Sequence, residues 1–232
     1  MIERRPFDDL SGEDIGWLKA KHHFSFGQSA GAGRMGWGTL RIWNDDEFAP
    51  NTGFPPHAHA NMEIITYVRE GAVTHKDSLG NESRIEAGDV QVMSAGGGIR
   101  HAEYNREQQP TRIFQIWIEP SSKGGAPAWG SQPFPKADRS GRSVTLASGF
   151  DDDKDALPIR ACARVLNAKL KVGQSIEYIL GEPRLAYMVP SSGIIDVNDV
   201  RIHARDGAAI KGVAVVRIAA IEDADVVMVD AL

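Results

Sequence analysis

The sequence GFPPHAHANMEIITYVREG, residues 53–71, and the sequence GGGIRHAEYN, residues 96–105, contain two doublets of potential metal ligands. The first doublet is His57 and His59, and the second is His101 and Glu103. Residues two apart in a β-strand point to the same side, so each doublet presents both side chains to one face. Two antiparallel strands can therefore bring four ligands around one ion. Three imidazoles and one carboxylate suit iron, manganese, nickel, copper or zinc better than calcium or magnesium.

Turn signals recur around these doublets at a regular spacing. Between the doublets they are Glu70-Gly71, the segment 77–81 and the segment 87–89. Short segments rich in β-branched and apolar residues lie between the turns, at 62–69, 72–75, 83–86, 90–94, 98–104 and 112–119. A turn about every ten residues is typical of a β-sandwich or barrel.

The composition changes abruptly after this first half. Residues 120–140 are rich in Pro, Gly, Ser and Ala, which indicates a linker. The β pattern then resumes, but the second half has only His203 and no spaced ligand doublet. The sequence thus predicts an all-β chain with an N-terminal metal-binding domain at 1–120, a linker at 121–142 and a C-terminal domain at 143–232. The second domain is expected to repeat the fold without a metal site.

Charge and hydropathy exclude several classes of protein. The net charge of −5, with no Lys/Arg run longer than two, argues against direct nucleic-acid binding. No apolar stretch approaches the roughly 18 residues that span a bilayer. The start, MIERRPFDDLSG, lacks the apolar centre of a secretory signal, so a cytoplasmic location without membrane contact is predicted. Cys162 is the single cysteine, and we predict a small buried residue there.

Other polar residues are candidates for supporting roles. Three histidines are predicted to be ordinary surface or core residues: His22, His23 and His203. His75 is predicted to make a hydrogen bond at a strand end or turn. The glycines at 96–98 predict a tight turn near the ion, because no Lys-Ser/Thr pair follows to form a phosphate cradle. Ligand imidazoles need partners that orient them, and the candidates are Asn44, Asp46, Asn105 and Gln115.

The motifs resemble a known family. GFPPHAHANMEIITYVREG is similar to the first cupin motif, and GDVQVMSAGGGIRHAEYN, residues 88–105, is similar to the second. More narrowly, the following segments resemble the pirin family of bicupins: HHFSFG (22–27), NDD (44–46), HAHANMEIITYV (57–68), HKDSLGN (75–81), SAGGGIRHAEYN (94–105) and FQIWIEP (114–120). The resemblance spans residues 1 to about 120, and the second half fits by rhythm alone. It implies two tandem cupin domains of the jelly-roll, or double-stranded β-helix, type.

The resemblance also implies a ligand set. Pirins hold their metal with His-x-His and His-x-Glu, which correspond here to His57, His59, His101 and Glu103. In other cupins the carboxylate ligand is the Glu of the first motif, so Glu63 is the alternative ligand. Glu63 would share the face of His57 and His59 if the strand continued without a bulge. One divalent transition metal is expected, Fe(II) foremost, with Mn, Ni, Cu, Co and Zn as alternatives.

Two functions follow from the resemblance. The first is a metal-dependent dioxygenase that opens a flavonol such as quercetin with O₂ and releases carbon monoxide. Glu103 would act there either as a ligand or as the base that takes the substrate proton. The alternative is a non-catalytic metal-binding regulator that modulates a transcription factor or a metabolic enzyme as its protein partner. An enzyme needs an apolar cavity beside the metal, whereas such a regulator needs only a surface strip.

Overall fold

The computed structural model describes residues 1–25, 34–133 and 141–232. Within these ranges the chain is β-structure apart from one 3₁₀ helix, Phe7–Asp9, and no helix there is long and apolar enough to cross a bilayer. The strands up to residue 132 are β1 Ile2–Arg5, β2 Ser11–Asp14, β3 Leu18–His22, β4 Leu40–Phe48, β5 Thr52–His59, β6 Glu63–Glu70, β7 Ala72–Asp77, β8 Glu82–Glu86, β9 Val90–Ser94, β10 Ile99–Asn105, β11 Thr111–Ile118 and β12 Ala128–Gln132. The later strands are β13 Arg142–Ser148, β14 Leu157–Pro158, β15 Ala163–Leu170, β16 Ser175–Ile179, β17 Leu185–Ser192, β18 Ile195–Val197, β19 Val200–Ile202, β20 Gly207–Lys211, β21 Val215–Ala220 and β22 Ala224–Ala231.

The same two-sheet plan occurs twice. In the first half a seven-stranded sheet, β12-β9-β6-β11-β4-β3-β2, faces a four-stranded sheet, β5-β10-β7-β8. In the second half the corresponding sheets are β1-β20-β17-β22-β15-β13-β14 and β16-β21-β18-β19. The prediction of two tandem all-β domains of the jelly-roll type is therefore confirmed.

The chain exchanges segments between the two halves. Strand β1 joins the sheet of the second half, where Arg5 pairs with Gly207 of β20. At the other end, the carbonyl of Leu232 accepts a hydrogen bond from the backbone N–H of Thr39 at 2.6 Å. The interval 121–142, predicted as a linker from its composition, contains the edge strand β12, which pairs with β9 of the first half.

The two seven-stranded sheets pack against each other through an apolar core. Trp43 and Phe114 from the first half contact this core together with Tyr187 and Val229 from the second, and all four are at most 1 % exposed. Burying one such side chain stabilises the fold by roughly 1.5–3 kcal/mol. Strands β4 and β11 carry apolar residues on both faces for this reason.

The interiors of the two domains differ. The second domain is filled by apolar side chains, among them Leu166, Met188 and Ile210. In the first domain Ile64 and Val68 of β6 belong to two separate apolar clusters. Thr66, which is buried and polar, lies between them, so among the described residues the first domain has a polar interior where the second has an apolar one.

A histidine joins the two domains. The sequence HHFSFG predicts a strand, but β3 ends at His22, and Phe26 lies outside the described residues. His23 is fully buried, with its Nδ1 at 2.9 Å from the hydroxyl of Tyr187. Burial, followed by the charge of Arg5, lowers the pKa of His23 to about 3.

This lowered pKa predicts a loss of stability in acid. Between the ordinary pKa of 6.5 and about 3, the unfolded state binds a proton at His23 and the folded state does not. The free energy of unfolding should therefore fall as the pH drops below 6.5, by about 1.4 kcal/mol per pH unit for this group. In urea unfolding from pH 7.5 to 4.5, His23→Gln should reduce that slope. An unchanged slope would contradict the assignment.

The contact between His23 and Tyr187 requires a glycine at position 207. A Cβ at this position would lie 2.0 Å from the hydroxyl oxygen of Tyr187 and 2.9 Å from Nδ1 of His23. We expect Gly207→Ala to lower the free energy of unfolding by about 1–3 kcal/mol, because neither buried ring can move aside. Gly97→Ala is the control, since its Cβ would meet only the carbonyl of Gly125 at 3.6 Å. Equal unfolding midpoints for the two variants in urea would refute this explanation.

Candidate metal centre

The two ligand doublets lie on neighbouring antiparallel strands. In the register of β5 and β10, His57 pairs with His101 and His59 pairs with Ile99. The ring centroids of His57 and His59 lie 4.4 Å and 5.0 Å from that of His101. One nitrogen from each of the three rings lies within 4.8 Å of the others. The predicted convergence of these histidines is therefore present in the structure.

Glu103 belongs to a second group that overlaps the first. The register between β10 and β5 shifts between His101 and Glu103, which indicates a bulge. On its other side β10 pairs with β7, so that Glu103 lies opposite His75. The potential ligand atoms of His75, His101 and Glu103 also lie within 4.8 Å of one another. His101 is common to both groups and is thus the central residue of the cluster.

The carboxylate of Glu103 is held by three donors. Its Oε1 accepts from Nε2 of Gln91 at 2.5 Å and from Oγ1 of Thr66 at 3.0 Å, and its Oε2 accepts from Nε2 of Gln115 at 2.7 Å. The Thr66 hydroxyl also lies 3.0 Å from Oε1 of Gln115, so its one proton can go to either acceptor. These contacts fix the orientation of the carboxylate.

The three donors are part of a polar row across the larger sheet. The strand register places five residues side by side on β9, β6, β11, β4 and β3: Gln91, Thr66, Gln115, Asn44 and His22. Gln115 was predicted to orient an imidazole, but it orients the Glu103 carboxylate instead. The Asn105 amide binds the backbone carbonyls of Phe48, Ala49 and Gln109, so its predicted contact with an imidazole is wrong.

The histidines are in the state that metal ligands require. Burial, followed by the neighbouring His101, lowers the pKa of His59 to about 4. Burial, followed by His57, lowers the pKa of His101 to about 3. Both rings are therefore neutral at pH 7, as metal-binding imidazoles must be. Nδ1 of His57 lies 2.8 Å from the carbonyl of Pro55, which leaves Nε2 for a ligand bond.

Two buried nitrogens of His101 also fit a metal site. Nδ1 and Nε2 of His101 are both buried and have no hydrogen-bond partner among the described residues. Orphaned buried polar atoms are rare in folded proteins and call for an explanation such as an ion. The donor set and these orphaned nitrogens fit a divalent transition metal.

His75 has a larger place in the cluster than the sequence indicated. Its Nε2 lies 3.0 Å from Oδ2 of Asp77, in accord with the predicted strand-end hydrogen bond. Its ring stacks on Trp129 at a centroid distance of 4.9 Å. Its proximity to His101 and Glu103 was not predicted, because it depends on the pairing of β7 with β10.

Glu63 lies away from the ligand cluster. Strand β5 ends at His59, and Glu63 begins β6 in the other sheet, so the continuous strand assumed from the sequence does not exist. Glu63 accepts a hydrogen bond from Oγ of Ser94 at 2.5 Å. Burial raises its pKa, and it belongs to neither ligand group.

Three further predictions can be compared with the structure. Cys162 is half-buried rather than buried, and its sulfur lies 3.5 Å from Nη1 of Arg184. The glycine-rich turn is present, and at Gly96, with φ of 53°, a Cβ would meet the carbonyl oxygen of Gly125 at 2.5 Å. His203 is exposed, as predicted.

A cavity of about 160 Å³ adjoins the histidines. His57, His59, His101 and Glu103 form one part of its lining, and its apolar walls include Leu18, Phe54, Ile64 and Trp117. Asn44 and Asp46 of β4 also line it. Burial, followed by the charges of Asp45 and Glu103, raises the pKa of Asp46 well above its usual range. The cluster thus opens into a largely apolar space.

Comparisons with known proteins match this architecture. The family model described as Pirin matches residues 4–118, and the model described as Quercetinase C-terminal cupin domain matches residues 145–231. A pirin-like protein of Caulobacter vibrioides is 67% identical over 231 residues, with all of both chains covered. The chain belongs to the pirin family.

A sequence and a solved structure from Escherichia coli are similar to this pirin over nearly their whole lengths. Quercetin 2,3-dioxygenase of strain K12 is 35% identical over 232 residues, which cover 99% of this chain and 98% of the relative. The crystal structure of the bacterial pirin YhhW in complex with nickel(II) has a TM-score of 0.93 and 32% identity, and the match covers 100% of this chain and 99% of YhhW.

Proposed function

We propose that this pirin is a metal-dependent dioxygenase that opens a flavonol such as quercetin with O₂ and releases carbon monoxide. The observation that carries the proposal is the apolar cavity beside the histidine cluster, since an enzyme of this kind needs such a cavity and a regulator does not. The names of the relatives support the same chemistry. The cytoplasm remains the predicted location.

The metal ligands in this proposal are His57, His59, His101 and Glu103. A divalent transition metal is expected, with Fe(II) foremost, and the nickel(II) complex of YhhW supports a divalent ion. When bound, such an ion supplies Lewis acidity toward the oxygens of a hydroxy-ketone.

The protein itself positions the substrate and accepts its proton. Phe54, Ile64 and Trp117 provide the apolar surface against which a flat aromatic ring packs and from which water is excluded. Glu103 is the proposed base for the flavonol hydroxyl. A carboxylate has about four acceptor sites and Glu103 uses three of them, so one site is open for a proton or a ligand bond. A second site opens when the Thr66 hydroxyl turns to Gln115.

The regulator alternative lacks a specific observation in its favour. A metal that tunes a surface needs ligands on that surface, whereas His101 is 3 % exposed and Glu103 is 1 % exposed. His101 and Glu103 lie inside the domain and line a cavity together with the half-exposed His57 and His59, which favours the enzyme.

The proposal is tested by turnover of quercetin. Protein reconstituted separately with Fe(II), Mn(II), Ni(II), Co(II), Cu(II) or Zn(II) should consume the visible absorbance of quercetin together with O₂, and should release one carbon monoxide per flavonol. His203→Ala is the control for histidine removal, because this side chain is exposed and distant from the cavity lining. Absence of turnover with all six metals would disprove the activity.

A further inference from the structure

The polar row described above has two ends that differ in their hydrogen bonding. At one end Gln91, Thr66 and Gln115 hold the Glu103 carboxylate. Toward the other end, next to His22, lies Asn44, whose Oδ1 is buried and has no partner in the part of the chain that the structure describes. Asn44 is also one of the residues that line the cavity beside the histidines.

Asp46, on the same strand, resembles Asn44 in its burial and in its hydrogen bonding. Asn44 and Asp46 are two apart on β4 and therefore point to the same face of the sheet. They are 7 % and 2 % exposed, and both line the cavity. Oδ1 of Asp46, like that of Asn44, is buried without a hydrogen-bond partner among the residues described.

Asp45, which lies between Asn44 and Asp46, is a carboxylate on the same strand that has a hydrogen-bond donor at each oxygen. Asp45 points to the opposite face, where Arg69 donates to its Oδ1 and Arg205 donates to its Oδ2 at 2.6 Å. No arginine or lysine lines the cavity face, and much of the lining near Asp46 is apolar. An unsatisfied buried acceptor is costly, and an occupant of the cavity can supply the donors that the described residues do not supply to Asn44 and Asp46.

We propose that Asn44 and Asp46 form a recognition site for hydroxyl groups of an aromatic ligand. O–H groups of the ligand donate to the side-chain oxygens of Asn44 and Asp46 while its ring packs against the apolar walls. The proposal rests on the proposed function and deepens it. It assigns the substrate class as polyhydroxylated flavonols, with hydroxyls in addition to the one that faces the histidines.

The test compares two flavonols that share the hydroxy-ketone. Quercetin carries further hydroxyls, and 3-hydroxyflavone does not. Dissociation constants are measured without O₂, by quenching of tryptophan fluorescence, on the protein as isolated. Wild-type protein should bind quercetin about tenfold more tightly than 3-hydroxyflavone, as expected for hydrogen bonds to otherwise unsatisfied buried acceptors.

Variants then test whether Asn44 and Asp46 cause the preference for quercetin over 3-hydroxyflavone. Asn44→Leu combined with Asp46→Leu should bring the ratio of the two dissociation constants close to one and leave 3-hydroxyflavone binding intact, which also shows that the variant is folded. Asp46→Asn alone retains an acceptor and should retain most of the preference. Asp8→Leu changes an exposed aspartate outside the cavity and should leave the ratio unchanged.

Two results would overturn the recognition site and can be told apart. If the double variant keeps the wild-type ratio and still turns over quercetin, the recognition site is wrong and the proposed function stands. If wild-type protein binds neither flavonol, the recognition site and the proposed function are both wrong.

Discussion

Replacing His101 by alanine should weaken binding of a divalent transition metal by about a hundredfold or more. His101 is the residue shared by the two ligand groups, and both of its ring nitrogens lack another partner among the described residues. Loss of an outer partner of a ligand alone costs about 10–100-fold in metal affinity, and a direct ligand contributes more. His57→Ala should have a smaller effect, because His57 belongs to one group only and is half-exposed.

The measurement is competition with a metal-binding dye, made on protein stripped of metal. Each variant is first checked for an unchanged urea unfolding midpoint in the metal-free state, so that a loss of affinity is not a loss of fold. The exposed His203→Ala variant should bind metal as the wild type does. Wild-type affinity in His101→Ala would mean that this cluster is not the metal centre.

Glu103→Gln should lower the turnover of quercetin by about 10²–10⁴-fold, the usual contribution of a general base. It should also lower the free energy of unfolding by about 1–3 kcal/mol. The reason is the set of donors around Glu103. Gln91 and Gln115 donate to different oxygens of the carboxylate, and an amide has only one oxygen. One N–H donor would then face another.

Glu63→Gln is the matched control for this variant. Glu63 is equally buried, but the hydroxyl of Ser94, which donates to its carboxylate, can also donate to an amide oxygen. The quercetin turnover and the metal affinity of Glu63→Gln should stay at the wild-type level. The reverse result, with Glu63→Gln inactive and Glu103→Gln active, would make Glu63 the functional carboxylate.

The Glu103→Gln variant separates the two possible roles of Glu103, metal ligand and general base. If Glu103 is a ligand, metal affinity falls in Glu103→Gln together with turnover. If it is the base, the variant keeps its metal and loses turnover alone. Dye competition and the quercetin assay on one protein preparation give both quantities.

The sequence predicted those residues of the site that follow from the spacing of neighbouring residues within one strand. His57 and His59, and likewise His101 and Glu103, are two apart, so strand periodicity alone places each pair on one face. The turn rhythm predicts the two β domains for the same reason. Neither inference needs knowledge of which strands become neighbours.

The rest of the site depends on long-range pairing. His75 approaches Glu103 only because β7 pairs with β10, and Gln91, Thr66 and Gln115 meet only in the register of three strands. Single Gln and Thr residues in apolar strands carry no local signal. Glu63 was placed with the histidines because the sequence does not mark the passage from β5 in one sheet to β6 in the other.

The exchange of β1 into the second domain sets an order of events during synthesis. The amino group of Met1 donates to the carbonyl of Lys211, which lies 210 residues further along the chain. At about 5–20 residues per second, the ribosome makes that partner about 10–40 s after the first strand. During that interval the first strand has no sheet to join, whereas the strands of the first domain, which end at residue 132, are all made before Lys211. The nascent N-terminus is therefore a segment that another copy or a chaperone can capture, and an N-terminal fusion would act on the second domain rather than on the first.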